Sequence, residues 1–164
     1  MKYISPVFIP FETKSREFDG KLLLITHLLN AGFENILLGS RGRTKNEALK
    51  HKNGIYIFKS LSVDDLEFYR QLKERNYKIV LLHVEGGIHY KDNKDSIIST
   101  YPEILFKYVD YNFVFGKKIK EDILSYVGKD IHAKTYVSGD PRFDLLKEKY
   151  RSFFVKWTNC KTII

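Results

Sequence analysis

The chain has 164 residues, a formal net charge of +8 at neutral pH and a sequence pI of about 9.4. Hydrophobic residues make up 43% and charged residues 29%, which describes one packed domain rather than a disordered chain. No apolar run approaches the roughly 20 residues that span a bilayer, Pro6 and Pro10 interrupt what would have to be a leader, and Cys160 is the only cysteine, so an internal disulfide is excluded and a reducing cytoplasm is the expected compartment.

The pattern then alternates between strand and helix. Tyr3–Ile9 is β-rich and reads as the first strand. The stretch 11–18 reads as a polar loop, after which Asp19 can cap a helix with Leu22, Ile25, Leu29 and Phe33 at helical spacing. Asn35–Leu38 reads as a second strand, and Thr44 to Glu47 as a capping box opening a short helix. Gly54–Phe58 is a third strand, and Ser62 to Asp65 starts a helix running to about Asn76. Lys78–Val84, nearly all apolar, fits a strand buried on both faces. Lys91–Ser99 reads as a loop, and a helix starts at Thr100. Tyr111–Phe115 is a fifth strand, Lys117–Val127 a helix, Ile131–Val137 a sixth strand, and a last helix begins near Asp144.

Single helices between strands imply right-handed crossovers, hence a mostly parallel sheet of about six strands in a Rossmann-like three-layer α/β/α fold. The expected organisation is one such domain over residues 1–144, then a C-terminal helix and linker over 145–164. For the usual order 3-2-1-4-5-6, strands one and four are neighbours at the switch point. The segment after strand one (Glu12–Asp19) and the segment after strand four (Glu85–His89) are then expected to face each other across one crevice.

Three stretches carry chemistry. In LLHVEGGIHY, residues 81–90, His83, Glu85 and His89 invite a metal reading, but the spacing matches no zinc pattern. The same stretch can be a simple strand-end turn, or Glu85 can be a catalytic carboxylate. In the last case Gly86 and Gly87 would let the backbone turn and a ligand approach, and apolar walls would raise the carboxyl pKa for acid or base work. In FETKSREFDGK, residues 11–21, Glu12, Lys14, Arg16, Glu17, Asp19 and Lys21 crowd one stretch, a mix that suits a sugar's hydroxyl groups, and a helix N-terminus adds partial positive charge. A solvated loop explains them too. In GSRGR, residues 39–43, Arg41 and Arg43 suit a carboxylate or phosphate, or are ordinary surface arginines. SGDPRFDLL, residues 138–146, reads as a fixed turn in which Arg142 and Asp144 pair and Phe143 tucks inward. No GxGxxG fingerprint, P-loop, GxSxG elbow or Cys–His pair is present, and nothing calls for a cofactor or a metal. The positive charge attracts phosphates or an anionic membrane surface, although a Lys-rich composition explains it as well. Nucleic acid is not expected, since there is no basic arm, zinc-finger spacing or RNA-binding signature.

IPFETKSREFDGKLLL, LLGSRGR, HVEGG and VSGDPRFDLLKEKYRSFF, in that order, resemble the N-terminal half of a bacterial family of surface carbohydrate biosynthesis proteins. That family is similar to GT-B glycosyltransferases, including the Kdo transferases of lipopolysaccharide and capsule assembly. At the Glu-Gly step, where the resemblance leads one to expect a neighbouring acid, this chain has His83 and Val84. The resemblance implies an acceptor-side Rossmann-like domain that binds a glycan acceptor. The nucleotide-sugar donor, plausibly a CMP-linked Kdo-type acid, would bind a second domain, of which Lys161–Ile164 would be the first strand. It also implies a cytoplasmic protein in peripheral contact with the inner membrane, with Glu85 as acid/base, Glu12, Arg16, Asp19, Lys21, Gly86 and Gly87 on the acceptor side, and Arg41 beside them. Without the donor domain, transfer activity is not expected. The other readings are a non-catalytic carbohydrate- or partner-binding module and a sugar-nucleotide epimerase relative. The stripe Leu146, Phe153 and Trp157 leads us to expect some homodimerisation.

Overall fold

The structure, a computed structural model, describes residues 2–83, 94–127 and 129–150. Six strands form one all-parallel sheet: β1 (Val7–Phe11), β2 (Ile36–Ser40), β3 (Ile55–Phe58), β4 (Lys78–Leu82), β5 (Tyr111–Val114) and β6 (Thr135–Val137). Helices α1 (Lys14–Asn30), α2 (Arg41–Ala48), α3 (Leu66–Glu74), α4 (Lys94–Thr100), α5 (Glu103–Phe106), α6 (Lys117–Tyr126), α7 (Lys129–Ala133) and α8 (Pro141–Asp144) flank it. The fold is the expected Rossmann-like three-layer α/β/α arrangement. Among the described residues, no helix is long and apolar enough to cross a membrane.

The strand order is 2-1-3-4-5-6, which corrects the expected neighbourhood of β1 and β4. β3 stands between them, pairing Val7 with Ile55 on one side and Phe58 with Leu81 on the other. The reversal comes one unit early. α2 packs against both β2 and β1, so it carries the chain back across β1 instead of outward. Right-handed crossovers then place α1 on one face and the helices from α2 to α7 on the other.

The two faces differ accordingly. Phe8, Tyr56, Phe58, Ile79 and Leu81 point into the main core with Tyr69, Leu72 and Phe106 from the helices and Tyr101 from the bend between α4 and α5. Tyr77 closes the core at the foot of β3. Its hydroxyl donates to the Ala48 carbonyl at 2.7 Å, and its ring lies so near Gly54 that an added Cβ would come within 2.3 Å of it. On the opposite face, Val7, Ile57, Val80, Leu82 and Phe113 line an apolar groove of about 320 Å³ beside Leu24 and Leu28 of α1.

Several element boundaries move. β1 starts after Pro6, while Tyr3 makes only an isolated bridge to Phe33. The charged segment after β1 is mostly helix, since α1 begins at Lys14, not after Asp19. Leu22 and Leu29 of the expected stripe are exposed, and Leu24 and Leu28 face the sheet instead. Thr44 is no cap. It is fully buried inside α2, and its hydroxyl meets Tyr56 Oη at 3.1 Å. Residues 94–99 of the expected loop belong to α4, which ends at Thr100 where a helix was expected to begin, and the expected sixth strand is divided between α7 and the shorter β6.

Candidate functional site

In a doubly wound sheet, ligands bind beyond the strand carboxyl ends where successive crossovers diverge. Here that point lies between β1 and β3. Glu12 follows β1, Arg41 and Lys45 occupy the first turns of α2, Lys59 and Ser60 follow β3, and Asp65 ends the 3-10 turn before α3. These residues line one hollow floored by Pro10, Tyr56 and Phe58.

The charges interlock. Arg41 Nη2 lies 2.6 Å from Asp65 Oδ2, and Lys45 donates to the other Asp65 oxygen. The second arm of the guanidinium, Nη1, reaches Glu12 Oε1 at 3.4 Å, while Lys59 Nζ holds Glu12 Oε2 at 2.5 Å. Asp65 is buried, but Glu12 is 36% exposed and Arg41 44% exposed at the side chain. The hydrogen bond to Asp65 outweighs partial burial and raises the Arg41 pKa. Below them, burial pushes the Tyr56 hydroxyl up to about 12, so it remains a neutral hydrogen-bonding group. With the side chains as they stand, the free space is about 20 Å³, room for one water.

A second ionic cluster lies under the first. Glu17, only 2% exposed, points inward from α1. Its carboxylate accepts from Lys21 Nζ at 2.7 Å, from Arg16 Nη2 at 3.1 Å and from the backbone N–H groups of Glu12 and Thr13 at 3.3 and 3.4 Å. Lys21 also donates to the Pro10 carbonyl, and Lys59 stands 3.7 Å away. Burial alone would raise the Glu17 pKa, but the bonds from Lys21 and Arg16 prevail and hold it at about 2. Burial likewise lowers the pKa of Lys21 against the pull of Glu17. The cluster fixes the strand-to-helix turn that carries Glu12.

Of the residues singled out in the sequence, Glu12 and Arg41 meet in the hollow. Arg16 lies on the outer side of the Glu17 cluster, and Lys21 is buried inside it. Asp19 is exposed on α1, with no ion pair among the described residues. Glu85, Gly86 and Gly87 lie outside the described residues, as does His89. His83 is buried beside the Tyr101 and Phe115 rings. Among the described residues, no three His, Cys, Asp or Glu side chains gather as a metal site. Arg43 is exposed. Arg142 pairs with Asp140, its Nε and Nη2 lying 3.0 and 2.9 Å from Oδ2, while Asp144 pairs with Lys147 at 2.6 Å. Phe143 is exposed rather than tucked in. Arg142 lies across Gly20, where a Cβ would come within 2.9 Å of its Cγ, so that glycine seats α8 on α1. Leu146 is exposed, and Phe153, Trp157 and Lys161–Ile164 lie outside the described residues.

Sequence reasoning missed Lys45, Lys59 and Asp65. Lys59-Ser60 at a strand end was a visible signal, but it points to Glu12 only once β3 is known to sit beside β1. Comparison with known proteins supplies no relative: no family model, curated protein or solved structure matches the chain.

Proposed function

We propose that this chain is the acceptor-side domain of a GT-B-like glycosyltransferase of bacterial surface carbohydrate assembly, and that the glycan acceptor enters at the β1/β3 cleft. One observation carries the reading: a carboxylate, a guanidinium and an ammonium group (Glu12, Arg41 and Lys59) converge from separate elements at the switch point. Guanidinium and ammonium groups donate to the hydroxyl, carboxylate or phosphate oxygens of an acidic glycan, and a carboxylate between them holds the pair at the cleft. The sequence resemblance supports the same assignment. Glu85 remains the acid/base of this reading, and the donor would bind a separate domain.

Calorimetric titration with an acidic surface-type oligosaccharide tests it. Binding to the wild-type chain and a loss of about ten-fold or more in Arg41→Ala are expected, the scale of a charge-assisted hydrogen bond. An affinity indifferent to Arg41 would remove the cleft from the account.

A further inference from the structure

We infer that Arg41 and Lys59 form a carboxylate-binding subsite which the chain's own Glu12 occupies, and that the carboxylate of a sugar acid enters by displacing Glu12. This rests on the β1/β3 cleft being the glycan site, and it adds the group recognised there and the contact that must give way.

Three observations carry it. First, the hollow holds only about 20 Å³ of free space, so a sugar enters only if a lining side chain moves. Second, the lining groups are held unequally. Asp65 is buried and takes both Arg41 and Lys45. The Lys59 side chain is 14% exposed and stays within 3.7 Å of buried Glu17. Glu12 is the exposed acid of the set, and its contact with Arg41 is the long one, at 3.4 Å against 2.6 Å for Asp65. Third, Glu12 bridges Arg41 and Lys59 with its two oxygens, the arrangement an incoming carboxylate would adopt. When Glu12 swings outward, Asp65 still aims the guanidinium and Glu17 still neighbours the ammonium group. The cations remain in place, and the leaving carboxylate is rehydrated at the surface. A carboxylate replaces a carboxylate, so the charge of the cleft is conserved. A neutral sugar cannot make that exchange.

The prediction runs opposite to that for a residue that simply grips the ligand. An internal competitor lowers apparent affinity by the fraction of time it leaves the subsite free. Removing the Glu12 charge should therefore tighten binding. Glucuronate is titrated against the wild-type chain, Glu12→Ala, Glu12→Gln and Arg41→Ala, with glucose as the neutral probe and circular dichroism to check folding. Both Glu12 variants should bind glucuronate roughly three- to ten-fold more tightly than wild type, with no gain for glucose. Glucuronate binding detected only in the Glu12 variants supports the inference equally. Unchanged or weaker glucuronate binding in both variants overturns it. If Arg41→Ala abolishes binding while Glu12→Gln brings no gain, the cleft reading stands and this inference alone fails. Binding that ignores Arg41, or no binding by any of the proteins, removes both.

Discussion

Glu12 and Glu17 lie five residues apart and share Lys59, yet their surroundings assign them different work. Glu17 is shut inside the molecule, with Lys21, Arg16 and two backbone N–H groups around its carboxylate. Glu12 stands at the rim, over a third exposed, bridging Arg41 and Lys59. Water makes the difference. A buried carboxylate that loses its partner has nothing to replace it, whereas a rim carboxylate exchanges one set of hydrogen bonds for another at little cost. The lower cluster is therefore scaffold and the upper one is exchangeable.

The largest effect should come from breaking the scaffold. Glu17→Ala leaves Lys21 buried without its carboxylate and should cost about 3–5 kcal/mol in denaturant unfolding. Substituting both residues by apolar side chains of similar size should recover much of that loss. A cost below about 1 kcal/mol would put Glu17 among ordinary surface pairs. Acid should produce a related loss. The Glu17 pKa lies below its usual 4.5, at about 2. Its contribution, on the order of 3 kcal/mol, is thus present above pH 4.5 and fades as pH falls from 4.5 toward 2. Unfolding free energies measured across that window should slope downward on acidification, and the slope should flatten in Glu17→Gln.

How much of this was legible depends on the kind of signal. The six strands and the helices that follow β1, β2, β3 and β5 could be read because apolar runs and punctuating residues are local, although Asp19 and Thr44 do not cap the helices they seem to open. KDSIIS, residues 94–99, looks like loop although it is helical, because only Ile97 of α4 is buried, too little periodicity to register. The strand order could not be read at all, since nothing in the residues of α2 announces that it packs back over β1. That one topological fact moved the crevice from β1/β4 to β1/β3 and brought Lys59 and Asp65 to Glu12. The inward turn of Glu17 was equally hidden, because a stretch as charged as FETKSREFDGK looks solvated whichever side chain points in.

Asp65 tests the middle ground, buried like Glu17 but serving the rim. Asp65→Ala should cost about 1–3 kcal/mol through the hydrogen bonds lost by Arg41 and Lys45, and should weaken glucuronate binding by about ten-fold because the guanidinium loses its aim. Stability lost with affinity unchanged would make Asp65 part of the scaffold alone. The smallest effect belongs to Glu12→Gln, whose unfolding free energy should stay within about 0.5 kcal/mol of wild type. A larger loss would erase the contrast between the two glutamates.

The most direct measurement is amide chemical-shift mapping of the chain titrated with glucuronate. The account predicts that perturbations gather on Phe11 to Thr13, on Ser40 and Arg41, and on Lys59 and Ser60, the three strand ends around the β1/β3 cleft. Shifts concentrated instead along the apolar groove at Leu24, Leu28 and Ile57, or on β5 and β6, would contradict it.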